Sequence, residues 1–162
     1  MSKMYVMTGL PGSGKTSFSK KFAEALDLQY LGIDDFYEHM NGDECNRSNK
    51  FDVWMMFYRA IHNAGVAGKD IIIDVNSPTV VDRAEFINWF PEFDKRYLLY
   101  MDTPFEVCVV NNHKRRRQIG ETDMFCLYSR YQPPTLEEVR EYKWTGIGTI
   151  NYITPSAIVW EA

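Results

Sequence analysis

The sequence predicts an α/β fold: a parallel sheet with helices on both faces. Three observations carry that expectation. Short apolar segments alternate with amphipathic ones along all 162 residues. Ile71–Val75 is a near-continuous apolar run, as a strand buried on both faces of a parallel sheet requires. A glycine-rich loop at 9–16 separates a strand pattern from a helix pattern.

In chain order, Met4–Thr8 reads as a strand. Ser17–Leu26 reads as a helix with Phe18, Phe22, Ala25 and Leu26 on one face. Gln29–Ile33 is a second strand, and polar Met40–Lys50, with Gly42, Asn46 and Asn49, is a loop or broken helix. Val53–Val66 is a helix ending near Gly65 and Gly68, and Ile71–Val75 is the third strand. Val80–Phe90 is a helix stopped by Pro91, and Arg96–Met101 is a strand. Thr103 as N-cap and Pro104 at the first helical position start a helix that runs into a basic segment. Thr122 caps a helix to about Tyr131, and Pro133-Pro134 breaks the chain. Thr135 and Glu138 have capping-box spacing for one more short helix. Ile147–Ile153 and Ala157–Trp160 are the last strands. No linker or repeat interrupts this, so residues 1–162 are expected to form one domain.

Gly9-Leu10-Pro11-Gly12-Ser13-Gly14-Lys15-Thr16 matches the phosphate-binding loop pattern at every fixed position. Gly12 and Gly14 let the backbone curl until its N–H groups share one cavity, and the following helix adds the positive end of its dipole. Lys15 is placed to reach the β- and γ-phosphates, and the Thr16 hydroxyl to hold Mg²⁺. Gly9, Leu10, Pro11, Gly12, Ser13, Gly14, Lys15, Thr16 and Ser17 are therefore the candidate contacts to ATP with its Mg²⁺. The structural alternative, an ordinary glycine turn, sits poorly with the flanking strand and helix. The loop does not distinguish transfer, hydrolysis and sensing.

Asp34 and Asp35 follow the second strand, where open α/β sheets bind ligands. Asp34 is the candidate general base for an attacking hydroxyl. Asp35 is a candidate substrate contact, and helix capping is the alternative for both. Asp74 is a charge within an apolar strand, which is costly unless it is paired. Mg²⁺ held with Thr16 is the expected partner, and a hydrogen bond to the loop is the alternative. Asn76 at the strand end is a candidate substrate contact or a turn residue before Pro78.

His113-Lys114-Arg115-Arg116-Arg117 ends a helix before Gln118-Ile119-Gly120 turns the chain. A charge run is usually a solvated face. Beside a triphosphate site it reads instead as a lid around 111–121 whose arginine stabilises the transferring phosphoryl group. Arg115, three residues after Asn112 on the same expected helix face, is the candidate. Phe36, Tyr37, Phe51, Trp54, Phe57 and Tyr58 crowd one region, read as core or as a stacking platform for an acceptor base.

The net charge of −4 argues against broad, sequence-independent duplex binding. Lys114 to Arg117 carry +4, which leaves −8 on the rest of the chain. No run is long and apolar enough to span a bilayer, and the N-terminus lacks a signal-peptide pattern. Three cysteines without CxxC spacing indicate free thiols and a cytoplasmic setting rather than a zinc site.

Taken as an ordered set, these motifs resemble the P-loop polynucleotide kinase-like family over most of the chain. GLPGSGKT resembles its loop, and GIDDFY its Asp-Asp segment, whose first Asp, the general base, falls at Asp34. IIIDVN followed by Asp82-Arg83 resembles its third-strand segment, which adds Arg83 to the candidate substrate contacts. NNHKRRR resembles its lid, with Arg115 the best positional match, and YQPPTLEE a segment common after the lid. The resemblance implies a nucleotide kinase-like P-loop fold and ATP-dependent phosphorylation of a hydroxyl. The acceptor it implies is nucleic acid or nucleotide, above all a polynucleotide 5′-hydroxyl. One departure stands out. The family's acceptor-binding arginine shortly after the Asp pair is absent, with Tyr37 and Glu38 near that place. No phosphatase domain is expected after Ala162. A small-molecule, nucleoside or nucleotide kinase on the same fold is the second reading, and a P-loop switch the third.

Overall fold

The computed structural model describes residues Met1–Ala162. Its elements are β1 (Lys3–Thr8), α1 (Lys15–Leu26), β2 (Gln29–Gly32), α2 (Ile33–Asn41), α3 (Lys50–Val66), β3 (Ile71–Asp74) and α4 (Val80–Trp89). They continue with β4 (Lys95–Asp102), α5 (Phe105–His113), α6 (Glu121–Arg130), α7 (Leu136–Tyr142), β5 (Gly146–Asn151) and β6 (Ile158–Glu161). The strands form one sheet in the order β2-β3-β1-β4-β5-β6. All neighbours are parallel except β6, which folds back antiparallel on β5. β1 lies between β3 and β4, and the crevice at the strands' carboxyl ends is where such sheets bind ligands. No helix is long and apolar enough to cross a membrane.

The pleat sorts the apolar residues onto two faces. Met4, Val6, Ile71, Ile73 and Leu98 pack with Val53, Phe57 and Ile61 of α3, Phe86 of α4 and Val139 of α7. Tyr5, Met7, Ile72 and Leu99 point the other way, against Phe18 and Ala23 of α1 and Ile150 of β5. Ile71, Ile72 and Ile73 are all fully buried. Each such side chain contributes roughly 1.5–3 kcal/mol relative to exposure, which is why this run has to be a central strand.

Several boundaries differ from the sequence reading, for local reasons. The second strand stops at Gly32, and Asp34 and Asp35 enter the first turn of α2, where the helix dipole favours carboxylates. α3 begins at Lys50, so the connecting loop is residues 42–49. Thr103 does not cap α5, because its Oγ1 donates to the Ser13 carbonyl at 2.7 Å. Gly120, not Thr122, is the N-cap of α6. Thr135 does cap α7, but Glu138 does not return the bond, because its carboxylate is taken by Arg83. The reciprocal capping box is instead Thr79 with Asp82 on α4.

Candidate active site

At the end of β1 the backbone turns through the glycine loop into α1. Side chains hold four of the loop's carbonyls. Asn111 Nδ2 donates to the Gly12 carbonyl at 2.9 Å, and Thr103 Oγ1 holds that of Ser13. Lys15 Nζ donates to the carbonyls of Gly9 and Leu10 at 2.9 and 3.1 Å. The N–H groups at the start of α1 have no intrahelical acceptor, so the mouth presents donors and an ammonium. Gly12 has φ +80, and a Cβ there would fall 2.3 Å from the Cys108 carbonyl, so only glycine lets the loop lie this close to α5.

Pro11, Gly12, Gly14, Lys15, Thr16 and Ser17 line a cleft of about 410 Å³. Asp34, Asp74, Asn76, Arg115 and Arg117 line the same cleft. Gly9, Leu10 and Ser13, expected as phosphate contacts, do not line it. Leu10 is an apolar anchor packed with Cys108 and Met124. Asp35 also lies outside the lining and is exposed on α2.

Arg83 corrects the sequence reading most clearly. It is fully buried, and its Nε and one terminal nitrogen each donate to a Glu138 carboxylate oxygen at 2.7 Å. The other terminal nitrogen donates to the Ser77 carbonyl at 3.2 Å. With its fork so occupied, Arg83 contacts no substrate. It secures the turn after β3 that carries Asn76.

Asp74 is buried and paired. Thr16 Oγ1 donates to its Oδ2 at 2.6 Å, and the Tyr30 hydroxyl donates to the same oxygen at 3.0 Å. Burial and Asp74 push the Tyr30 hydroxyl pKa up, so it stays a donor. Burial lowers the Lys15 ammonium, and Asp74 opposes that effect. One hydroxyl and one carboxylate meeting beside a phosphate loop are hard oxygen donors of the kind Mg²⁺ takes when phosphate and water complete its shell.

The basic segment leaves α5 at His113. Arg115 therefore does not share a helix face with Asn112. Asn112 is buried and clamps the turn, donating to the Ile119 carbonyl at 2.6 Å and accepting from its N–H at 3.0 Å. This turn aims Arg115 and Arg117 into the cleft, while Arg116 points away to pair with Asp43 at 3.0 Å. Desolvation lowers the Arg117 guanidinium, with Asp34 opposing.

The residue the sequence reading missed is Arg47. It extends from the 42–49 loop, stacks 4.2 Å from the centroid of the Tyr37 ring and pairs with Asp34 Oδ1. A cation thus stands beside Asp34 after all, thirteen residues further along the chain. The sequence made the Asn46–Phe51 stretch a reasonable place for acceptor contacts, but no residue in it was diagnostic.

A family model described as an AAA domain matches residues 4–125. A protein of Acanthamoeba polyphaga mimivirus, provisionally named a bifunctional polynucleotide phosphatase/kinase, is 30% identical over 115 residues, 70% of this chain and 24% of that protein. A shikimate kinase of Corynebacterium jeikeium is 47% identical over 47 residues, 29% of this chain and 25% of that protein. The chain thus spans about a quarter of the length of each relative. A crystal structure from Chloroflexus aurantiacus, provisionally named a kinase, superposes with a TM-score of 0.72 at 22% identity, covering 98% of this chain and 89% of that one. Since the matched stretch holds the loop, the carboxylates and the basic turn that meet in the cleft, the chain belongs to the AAA-domain family and has the P-loop kinase fold.

Proposed function

We propose that the protein transfers the γ-phosphate of ATP to a hydroxyl of a nucleic acid or nucleotide, above all the 5′-hydroxyl of a polynucleotide. The observation that carries this reading is Asp34. Its carboxylate lines the same cleft as Lys15, Thr16 and Asp74, where an acceptor hydroxyl would meet a bound triphosphate. The loop amides and Lys15 hold the phosphates. A neighbouring cavity of about 620 Å³, sharing Gly14 and Ser17 and lined by Phe18, Phe22 and Tyr152, suits the donor nucleoside. Thr16 and Asp74 would hold Mg²⁺, which supplies charge neutralisation between the β- and γ-phosphates when bound.

In the transfer step Asp34 takes the hydroxyl proton. The acceptor oxygen bonds to the γ-phosphorus, and the bond from that phosphorus to the β–γ bridging oxygen breaks, releasing ADP. Arg115 stabilises charge on the transferring group. Residues 111–121 act as a lid on a single domain spanning 1–162. A cytoplasmic location accords with three free cysteines. The 47-residue match to a shikimate kinase favours one other reading, a small-molecule acceptor for the same chemistry.

The test is transfer from γ-labelled ATP with Mg²⁺ to 5′-hydroxyl oligonucleotides, 5′-blocked oligonucleotides, nucleosides and nucleoside monophosphates. Label confined to unblocked oligonucleotides is the expected result. Label on a small acceptor alone moves the assignment to the second reading. Asp34→Asn should abolish transfer while leaving ATP binding intact, and full activity in that variant refutes the base.

A further inference from the structure

A further cavity, of about 460 Å³, opens at the carboxyl end of β4, between the start of α5 and the end of α6. It shares no residue with the cleft that holds Lys15 and Asp34, and only Met101 with the cavity beside α1. Its volume is that of a site for a small organic ligand. Phosphate transfer from ATP to an acceptor leaves it without an occupant.

Aromatic rings make up much of its wall. Phe105 and Tyr128 stack with centroids 4.4 Å apart, and Tyr100 and Tyr131 with centroids 6.1 Å apart. The Tyr131 hydroxyl is engaged with Thr8 Oγ1 at 3.1 Å, and the Tyr100 hydroxyl donates to Asp102 Oδ1 at 3.2 Å. These two therefore offer a ligand ring surface more than a free hydroxyl. Tyr128 is 49% exposed even though it is stacked, so its surface is still open to contact.

The charge of the cavity is one-sided. Asp102 and Glu106 line it, and no lysine, arginine or histidine does. Neither carboxylate belongs to an ion pair. Glu106 stands in the first turn of α5, where the helix dipole favours it, whereas Asp102 has only the Tyr100 hydroxyl. A metal ion held by side chains would need more donors, and no three acidic, histidine or cysteine side chains gather to hold one. Aromatic faces beside carboxylates suit an organic cation instead. The rings attract it through their quadrupole, and the carboxylates accept its hydrogen bonds.

We propose that this cavity binds a flat organic cation, an amidinium or guanidinium on an apolar body. The charged head lies at Asp102 and Glu106, and the body lies against the rings. The site is separate from the phosphate cleft and stands whichever acceptor that cleft serves.

The test uses benzamidine and benzamide, which share a shape and differ in charge. Each is titrated into the isotope-labelled full chain and into Asp102→Asn, Glu106→Gln and Tyr128→Ala, with and without saturating ADP. Benzamidine should move backbone amide signals between residues 100 and 106 and between 128 and 132, and benzamide should bind at least tenfold more weakly. Asp102→Asn and Glu106→Gln should each weaken benzamidine severalfold and leave benzamide unchanged, while Tyr128→Ala should weaken both. Both carboxylates are exposed, so their variants keep the fold, and a native-like spectrum checks that. N-acetylarginine methylamide, titrated in parallel, separates two sources of the cation. Tighter binding than benzamidine assigns the cavity to an arginine side chain of a partner, and weaker binding to a free compound. Shifts confined to the phosphate cleft, equal binding of benzamidine and benzamide, loss of binding when ADP is added, or no saturation in the millimolar range overturns the proposal.

Discussion

At Gly32 a Cβ would fall 2.2 Å from the Tyr30 hydroxyl, the same hydroxyl that donates to Asp74. A missing methyl group thus lets a tyrosine reach the carboxylate that faces Thr16. Tyr30→Phe should raise the Mg²⁺ concentration for half-maximal transfer severalfold with little change in the saturated rate. Gly32→Ala should act in the same direction by displacing the ring. Metal titration of activity checks both, alongside Mg²⁺-dependent protection of the ATP complex against heat. Lys15→Ala should lower transfer by orders of magnitude. Arg115→Ala should lower kcat more than it weakens ATP binding, and single-turnover rates with separate nucleotide titrations distinguish the two. That Lys15, Thr16, Asp34 and Asp74 gather at one cleft was legible in the sequence, because each is tied to a pattern a few residues long. Arg47 was not, because its polar loop has no periodicity and its partners are set by how that loop folds back over α2. Arg83 was misread for a related reason, its partner Glu138 being 55 residues away.

Among the elements, α4 and α7 are joined by the one ion pair with both side chains sealed from solvent, Arg83 with Glu138. Removing one partner strands a charge. Arg83→Met should therefore cost about 3–5 kcal/mol in urea unfolding, while Arg83→Met with Glu138→Leu should recover much of that loss. A double variant as unstable as the single one would show that the pair's hydrogen bonds to the turn matter more than its charge. The seam between the glycine loop and α5 is equally intolerant. Gly12→Ala drives a methyl group into the Cys108 carbonyl and forces an L-residue to φ +80, so it should destabilise the fold and weaken ATP binding together. The strands and most helices were readable because burial imposes a period. The caps were less so: Thr103 and Glu138 have capping chemistry, yet stronger tertiary partners took their side chains.

Across the whole molecule, alkaline pH should be the weak side. Burial pushes the Cys108 thiol up to about 11 from an ordinary 9.0, and burial with Asp102 pushes Tyr100 up to about 12. Tyr30 and Tyr131 are raised as well. A raised pKa in the folded state means that the native protein holds its proton longer than the unfolded chain. That contribution is complete below about pH 9 and is lost as pH climbs through 11 and 12. Thermal melting from pH 7 to 11 should show a flat region and then a decline. A thiol reagent at pH 8 should modify exposed Cys45 and Cys126 and spare Cys108 until unfolding. The sheet's layered architecture was visible in advance. Its strand order was not, since that depends on which crossovers pack. The Arg116–Asp43 bridge has a different kind of consequence. It ties the basic turn after α5 to the 42–49 loop on the other side of the cleft, so an ordering of one is felt by the other. By thermodynamic reciprocity, any factor by which ATP tightens acceptor binding must equal the factor by which acceptor tightens ATP, and cutting that tether should bring both factors toward one together.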